Sequence, residues 1–236
     1  MGTEQKVAVI TGASQGIGAG LVKAFRGRNY RVVANSRSIK PSGDSDVLAV
    51  PGDIADPDVA RRVVAEGLER FGRIDTLVNN AGIFIASPFT KYTEDQFAAV
   101  IATNLAGFFH ITQQAIAAME KQGSGHVVNI TTSLVDQANS SVPSVLASLT
   151  KGGLNAATKS LAIEYAQKGI RVNAVSPGVI KTPMHSPDTH AFLANLHPVG
   201  RMGEIGDIVG AILYLESAGF VTGEILHVDG GQSAGH

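Results

Sequence analysis

Residues 11–18 of the chain, TGASQGIG, decide the fold, and they directly follow the apolar run Val7–Ile10. A helical pattern begins at the end of this stretch, so the glycines lie between a predicted strand and a predicted helix. Glycine lets the backbone turn tightly and approach a pyrophosphate, which then rests on the free amide groups of a helix N-terminus. A glycine cluster alone is a weak signal, because ordinary turns contain the same residues. Its position between strand and helix favours a dinucleotide-binding turn.

Short β-branched runs alternate with longer helical patterns along the whole chain. The predicted strands are Val7–Ile10, Arg31–Ala34, Val47–Val50, Thr76–Val78, His126–Ile130, Arg171–Val175 and Ile225–Val228. These runs lack polar alternation, as expected for strands that are covered on both faces. The alternation predicts a three-layer, doubly wound α/β Rossmann fold with a seven-stranded parallel sheet and right-handed crossovers. No linker or repeat interrupts it, so we expect one dinucleotide-binding domain over residues 1–236.

The sequence also predicts the local structure of four segments. Residues 36–46 contain proline, glycine and aspartate without a helical pattern, so the second crossover should have little or no helix. Residues 182–197 are rich in proline and histidine and should form a mobile flap outside the sheet. We expect long helices over Thr93–Glu120 and Ser144–Gln167.

Composition excludes several functional classes. The 236 residues are 44% hydrophobic and 17% charged with a formal net charge of −1, which gives no electrostatic case for a nucleic acid or an anionic membrane partner. There is no cysteine, which excludes disulfides and thiolate chemistry. The first apolar run has four residues, too few for a signal peptide or a membrane span, so we expect a cytoplasmic protein.

The glycine spacing is Gly-x-x-x-Gly-x-Gly, and four further motifs follow it in order. The motifs are TGASQGIG at 11–18, Asn79-Asn80-Ala81-Gly82, Asn104, the run Pro177-Gly178-Val179-Ile180-Lys181-Thr182, and residues 222–231 with Asp229-Gly230-Gly231. Together they resemble the short-chain dehydrogenase/reductase family, in particular its 3-oxoacyl-ACP-reductase-like members. The likeness covers nearly the whole chain. It implies an NAD(P)-dependent oxidoreductase.

The resemblance assigns a set of cofactor-binding residues. They are Gly12, Ser14, Gln15, Gly16, Ile17, Gly18, Ser36, Arg37, Asp53, Ile54, Asn80, Ala81, Gly82, Lys151, Pro177, Gly178, Ile180 and Thr182. An NAD-preferring site usually places a carboxylate at the end of the second strand, whereas this chain has Ser36 followed by Arg37. A guanidinium offers donors to a 2′-phosphate, so we favour NADP(H), with NAD(H) as the alternative. The alternative is that Arg37 is a solvated loop charge.

The resemblance also implies a catalytic group of Ser, Tyr, Lys and Asn. Lys151 matches the family lysine and Asn104 the asparagine, which holds a water for proton relay. The tyrosine should lie four residues before the lysine, where this chain has Ala147. The family tyrosine gives a proton to the carbonyl oxygen, so we expect an altered proton donor. The serine falls on Thr132, with Ser133 directly after it, and either hydroxyl could bind a carbonyl.

Three histidines are candidates for other chemistry. His185 lies on the expected flap, and an imidazole there could replace the missing phenol as the acid. A solvated loop histidine is the simpler interpretation. His185, His190 and His197 could also form a metal cluster, but no supporting ligand pattern accompanies them, so we expect no metal.

Two functions remain open. The first is an NADP(H)-dependent oxidoreductase of a small carbonyl or alcohol with an atypical proton donor. The second is an NADP(H)-binding homologue without turnover, acting as a sensor or scaffold. The pocket should be lined by residues 134–145 and 183–200, which offer no charged anchor except Arg201, so we expect a neutral or modestly apolar substrate. The resemblance implies a homotetramer or dimer built partly on the two long helices.

Overall fold

The computed structural model describes residues 5–235. The strands are β1 Val7–Thr11, β2 Arg31–Ser36, β3 Val47–Pro51, β4 Thr76–Asn79, β5 Gly125–Ile130, β6 Ile170–Pro177 and β7 Ile225–Val228. The α-helices are α1 Gly16–Gly27, α2 Pro57–Phe71, α3 Glu94–Ile101, α4 Gly107–Gln122, α5 Val145–Tyr165, α6 His190–Ala194 and α7 Ile205–Ser217. Every predicted strand is present, and no strand end differs from its prediction by more than two residues.

The described strands form one parallel sheet in the order β3-β2-β1-β4-β5-β6-β7. This order confirms the predicted doubly wound α/β fold. The chain moves outward from β1 to β3 and then crosses back to β4, so β1 and β4 are neighbours at the point where the order reverses. Ligands of such sheets bind in the crevice beyond the carboxyl ends of the strands at this point. The glycine turn after β1 opens into that crevice.

Apolar side chains cover both faces of the sheet. All five residues of β1 are buried, as are the four residues of β4. On one face Val9 and Leu77 pack in a core with Ile111 of α4. On the other face Ile10 and Val78 pack with Ile212 of α7. Because both faces are covered, the central strands lack the alternation of polar and apolar residues that a half-exposed strand shows.

The crossover from β2 to β3 contains no helix, as predicted. Arg26 at the end of α1 anchors it instead, with its Nε donating to Asp44 at 2.8 Å and one Nη to Asp46 at 2.9 Å. The Arg26 guanidinium holds the pKa of Asp44 below its ordinary value. These contacts keep the crossover short, so the end of β2 remains open to the crevice.

The single helix predicted for Thr93–Glu120 is wrong in detail. A capping box of Thr93 and Gln96 starts α3, but residues 102–106 form a π-helical turn before α4 begins. Asn104 lies in this turn and is buried. A π turn widens the helix by one residue and is common at functional sites. Hydrophobic periodicity alone does not reveal such an insertion.

The segment expected to be a flap lies outside the sheet but has structure of its own. Residues 187–189 form one 3₁₀ turn, and the short helix α6 follows directly. A bridge between Ile180 and Gly203 closes the base of this segment.

Residues 1–4 and 236 fall within the predicted single domain but lie outside the described residues. The extent of that domain therefore stays a prediction. Within residues 5–235 no helix has the length and apolar character that crossing a membrane requires.

Candidate active site

A cavity of about 740 Å³ opens beyond the carboxyl ends of the strands. Its walls come from the turn after β1, the ends of β2, β4, β5 and β6, the start of α5 and the segment around α6. Ligand sites in proteins commonly have volumes of roughly 300–1,000 Å³. The cavity therefore has the size of a ligand site, and it lies where doubly wound folds bind their ligands.

The glycine turn is fixed by backbone geometry. Gly12 and Gly16 have φ angles of +64° and +55°, which side-chain-bearing residues rarely adopt. A Cβ on Gly18 would lie 2.2 Å from the carbonyl oxygen of Gly12. Asn80 holds the turn from the β4 side, with its Nδ2 donating to the carbonyls of Thr11 at 2.9 Å and of Gly12 at 3.2 Å. The β1 and β4 loops thus form one rigid floor.

The N-terminus of α1 faces this floor without a cap. Gln15 at the N-cap position makes no side-chain cap hydrogen bond, and the first turn contains no acidic residue. Gly16 and Ile17 both line the cavity. Uncapped amide groups at a helix N-terminus, together with the helix dipole, form a site for a phosphate group.

The end of β2 supplies two polar groups. Ser36 lines the cavity, and its Oγ is buried without a hydrogen-bond partner among the described residues. Arg37 also lines the cavity, is exposed, and its guanidinium makes no hydrogen bond or ion pair with any described residue. Asp53 and Ile54 form the neighbouring wall, and an Asp53 carboxylate oxygen accepts from the amide of Ala55 at 3.0 Å. This corner has unused donors.

Lys151 lies in the second turn of α5 with its ammonium in the cavity wall. Its Nζ donates to the carbonyl of Ile130 at 2.7 Å. A Cβ on Gly82 would lie 3.2 Å from this Nζ, so the glycine leaves room beside the ammonium. Burial lowers the pKa of Lys151 to about 8. No carboxylate among residues 5–235 lies within ion-pair distance of it to offset that burial.

Two hydroxyls after β5 line the cavity with different hydrogen bonds. Ser133 is buried, and its Oγ donates to Oε1 of Gln232 at 2.6 Å. The Oγ1 of Thr132 accepts from the amide of Leu134 at 3.3 Å, and its own hydroxyl proton has no acceptor among the described residues. Thr132 therefore has a donor free for a ligand, whereas the donor of Ser133 is engaged.

Ala147 faces the cavity one helical turn before Lys151. Its methyl group is buried and carries no ionisable atom. The chain has four tyrosines, all within the described range, and none of them lines the cavity. No phenol of this chain therefore reaches the site.

Two predicted site residues lie behind the cavity wall, not in it. Gly18 is buried against Gly12. The Asn104 amide accepts from the Ile83 amide at 2.9 Å and donates to the Ile83 carbonyl at 3.0 Å. It also donates to the Thr150 hydroxyl at 3.2 Å. Asn104 thus ties the π turn to the loop after β4 and to α5, and does not face the cavity.

The loop after β6 is held by a residue that the sequence analysis did not assign to the site. Pro177, Gly178, Ile180 and Thr182, which the sequence analysis assigned to cofactor binding, line the cavity. The Nε2 of His197 accepts from the amide of Val179 at 2.9 Å, and a Cβ on Gly178 would lie 2.7 Å from the same nitrogen. The glycine is therefore required for this contact.

The three histidines do not converge. His197 is committed to the loop after β6, whereas His185 lines the cavity and His190 contacts the His185 carbonyl at 3.3 Å. Burial, and then the neighbouring His190, lower the pKa of His185. No group of three or more His, Asp or Glu side chains within residues 5–235 has the arrangement of a metal site.

The remaining wall contains a large apolar part, beside polar side chains such as Ser141, Ser186 and Thr189. The apolar part is formed by Phe84, Leu134, Val142, Met184, Phe192, Leu193 and Leu196. The segments 134–145 and 183–200 supply most of these, as predicted. The prediction that Arg201 could be a charged anchor of the pocket is wrong. Its guanidinium donates to Asp207 at 2.9 Å, and the residue does not line the cavity. The sequence analysis also missed Gln232, although it directly follows the motif Asp229-Gly230-Gly231.

Comparison with known proteins agrees with this geometry. Residues 12–233 match the family described as enoyl-(acyl carrier protein) reductase. An uncharacterized oxidoreductase of Methylorubrum extorquens is 36% identical over 97% of this chain and 98% of its own length. The 3-oxoacyl-[acyl-carrier-protein] reductase of Thermotoga maritima is also 36% identical, over 98% of this chain and 99% of its own.

Solved structures share the whole fold. ElxO with NADP bound superimposes with a TM-score of 0.90 at 29% identity, covering 98% of this chain and all of that one. The 3-ketoacyl-(acyl-carrier-protein) reductase of Brucella melitensis, complexed with NADH, has a TM-score of 0.90 at 30% identity, covering 98% of this chain and 99% of that one. The chain therefore belongs to the short-chain dehydrogenase/reductase family of NAD(P)-dependent oxidoreductases.

Proposed function

We propose that the protein is an NADP(H)-dependent oxidoreductase that interconverts a small, apolar carbonyl compound and its alcohol with an atypical proton donor. The observation that carries this proposal is that Lys151 and the free hydroxyl of Thr132 face one cavity that also contains the uncapped helix N-terminus of α1. A phosphate site and a carbonyl-binding donor in one cavity are what nicotinamide chemistry requires.

The residues present fit a dinucleotide. The glycine turn and the N-terminus of α1 would hold the diphosphate, and Lys151 would hold the nicotinamide ribose. The buried, unpartnered Ser36 hydroxyl and the free Arg37 guanidinium would bind a 2′-phosphate. No carboxylate stands at the end of β2 to repel that phosphate, so we propose NADP(H) over NAD(H). When bound, the nicotinamide supplies or accepts hydride.

The chain's own groups would orient the carbonyl. Thr132 has a hydroxyl proton free to donate to the carbonyl oxygen, and Gln232 keeps the Ser133 hydroxyl occupied. We therefore propose Thr132 for the carbonyl-binding role and Ser133 for positioning. Asn104 holds α5 and the loop after β4 in register, which makes it a positioning residue as well. The apolar wall would exclude water and accept a neutral substrate.

A second function follows from Ala147. The phenol that the family resemblance places there is absent, and a general acid contributes roughly 10²–10⁴-fold to rate. A protein that binds NADP(H) without turnover, as a sensor or scaffold, would tolerate that loss. Retention of Lys151 and of the Thr132 hydroxyl in the cavity favours the enzyme, because a disused site has no need of them.

Restoring the phenol separates the two functions. We expect slow consumption of NADPH by the wild type with at least one member of a panel of ketones, aldehydes, quinones and imines. We expect Ala147→Tyr to raise kcat/KM for carbonyl reduction about 10²-fold or more. Ala147→Phe adds the same ring without the hydroxyl and should give no such gain. Tight NADPH binding without turnover by the wild type or by Ala147→Tyr would favour the sensor.

We also propose a homo-oligomer, a dimer or tetramer, built on the outer faces of α3, α4 and α5. Phe97, Phe109, Leu149 and Ile163 are exposed there by 44%, 56%, 57% and 80%. Exposed apolar clusters of this kind mark protein contacts. Lys151 lies on α5 and Asn104 lies in the π turn between α3 and α4, so assembly would also stiffen the site.

A further inference from the structure

The geometry of the cavity limits which residue can supply the proton in a site without a phenol. This inference rests on the proposed function. A ketone that receives hydride at carbon must also receive a proton at oxygen. The donor has to lie within hydrogen-bond reach of that oxygen, directly or through one water. The cavity wall contains few groups that can release a proton.

Ala147 and Lys151 lie one turn apart on α5 and line the same cavity. The Ala147 side chain is a single methyl group, so the space in front of it can hold water. A water needs roughly one probe sphere of room and two or more polar partners. The ammonium of Lys151 and the hydroxyl of Thr132, which both line this cavity, supply such partners.

The ammonium of Lys151 has more N–H donors than its described partners use. An ammonium carries three N–H donors. One goes to the Ile130 carbonyl, and one is needed for the ribose that Lys151 would hold, which leaves one for a water. The lack of a side chain at Gly82 lets this nitrogen lie close to the loop after β4, because a Cβ there would be only 3.2 Å from it. Within residues 5–235 no carboxylate pairs with the ammonium, so the Ile130 carbonyl is the one described group that stabilises its charge. Burial lowers the pKa of Lys151 to about 8, which makes it a stronger acid than a solvated lysine.

The other candidates fit less well. The hydroxyls of Thr132 and Ser133 can donate a hydrogen bond but are too weakly acidic to release a proton near neutral pH. His185 lines the cavity from the segment outside the sheet, and its lowered pKa reduces the protonated fraction that an acid needs. Of the described cations that line the cavity, Lys151 is the closest in sequence to Ala147, and it lies one turn further along the same helix.

We propose that Lys151 is the proton source of this chain, and that its ammonium delivers the proton through a water held in the space in front of Ala147. The step balances as follows. Hydride from a dihydronicotinamide forms the C–H bond while the carbonyl π bond breaks. The oxygen takes a proton from the water, and the water takes one from the ammonium. Lys151 is left as a neutral amine and regains its proton from solvent.

The test combines kinetics with a direct reading of the amine. Wild type and Lys151→Arg are compared for the pH dependence of kcat/KM with the best carbonyl of the panel, and for NADPH binding by fluorescence. The guanidinium keeps the charge and the hydrogen-bond donors but does not release a proton in this range. We expect Lys151→Arg to lose at least about 100-fold in kcat measured at saturating NADPH, in addition to any loss of NADPH affinity that follows from its contact with the ribose. The wild-type kcat/KM should fall above a pKa near 8.

The second readout does not depend on turnover. The lysine carbons are labelled with ¹³C, the Lys151 signal is assigned from its loss in Lys151→Arg, and its titration is followed with NADPH bound. We expect a pKa within one unit of the kinetic break. Lys151→Ala should regain activity with added small primary amines, in an order that follows the pKa of the amine. Lys159→Arg, an exposed lysine on the same helix, is the matched control and should behave as wild type.

Three results would overturn the proposal. The first is a Lys151→Arg variant that keeps wild-type kcat, and the second is a Lys151 amine that titrates near 10.5 with NADPH bound. The third is loss of the alkaline break in His185→Gln with retention in Lys151→Arg, which would assign the proton to the imidazole. If wild type binds NADPH but reduces no carbonyl, the proposed function itself fails, and the proton source fails with it.

Discussion

The lowered pKa of Lys151 makes a quantitative prediction about stability. Burial holds this pKa at about 8 in the folded chain, against about 10.4 for an unfolded lysine. Between these values the unfolded state binds more protons than the folded state, so the free energy of unfolding rises with pH. Each unit of pKa corresponds to about 1.4 kcal/mol. Below pH 8 the site therefore carries a penalty of about 3 kcal/mol, which is relieved as the pH approaches 10.

Lys151→Met removes the titrating group while keeping most of the chain length. Met also loses the hydrogen bond to the Ile130 carbonyl, so the difference from wild type at one pH mixes two effects. The change of this difference with pH reports the titration of the Lys151 amine alone. We expect the unfolding free energy of wild type, relative to Lys151→Met, to increase by about 2 kcal/mol from pH 7.0 to 9.5.

Equilibrium denaturation by urea at fixed protein concentration measures this difference. The measurement is made without cofactor, because a bound dinucleotide would add its own linkage. Lys159→Met removes an exposed ammonium from the same helix and is the matched control. A difference between wild type and Lys151→Met that stays constant within about 0.5 kcal/mol would refute the burial of an unpaired ammonium.

Three further predictions concern the cofactor and the assembly. Arg37→Ala should weaken NADPH binding by roughly 10–100-fold, which corresponds to the loss of about 1.5–3 kcal/mol for hydrogen bonds to a charged group. The same variant should leave NADH binding, measured by calorimetry, unchanged. Equal losses for both cofactors would contradict a 2′-phosphate contact. Gly18→Ala should lower the unfolding free energy by about 1–3 kcal/mol and weaken NADPH binding, since its Cβ would lie 2.2 Å from a backbone oxygen. Gly27→Ala, with no atom within 4 Å of the added carbon, is the matched control and should keep both properties. Leu149→Glu places a charge on the exposed face of α5 and should at least halve the mass measured by light scattering, whereas an unchanged mass would place the subunit contact elsewhere.

The sequence predicts the sheet well because each central strand is apolar on both faces. β1 and β4 are buried at every position, and their sequences, VAVIT and TLVN, lack the alternation of polar and apolar residues that a half-exposed strand shows. The glycine turn is equally readable, since positive φ at Gly12 and Gly16 restricts the choice of residue. The absence of a helix between β2 and β3 is predicted by the same kind of local signal.

Contacts that depend on distant parts of the chain are not readable in this way. His197 accepts from Val179, 18 residues earlier, and Ser133 donates to Gln232, 99 residues later. Neither pair has a local pattern that announces it. The π turn around Asn104 inserts one residue into an otherwise regular helical pattern. Arg201 looks like a free anchor in the sequence because its partner Asp207 becomes apparent only when α7 is in place.

The most direct test of the account is a calorimetric titration of the wild-type protein with NADPH and with NADH. The geometry predicts one site per chain for NADPH and binding at least tenfold tighter than that of NADH. Saturation by neither cofactor at millimolar concentration, or tighter binding of NADH, would contradict the dinucleotide site built from the glycine turn, Arg37 and Lys151.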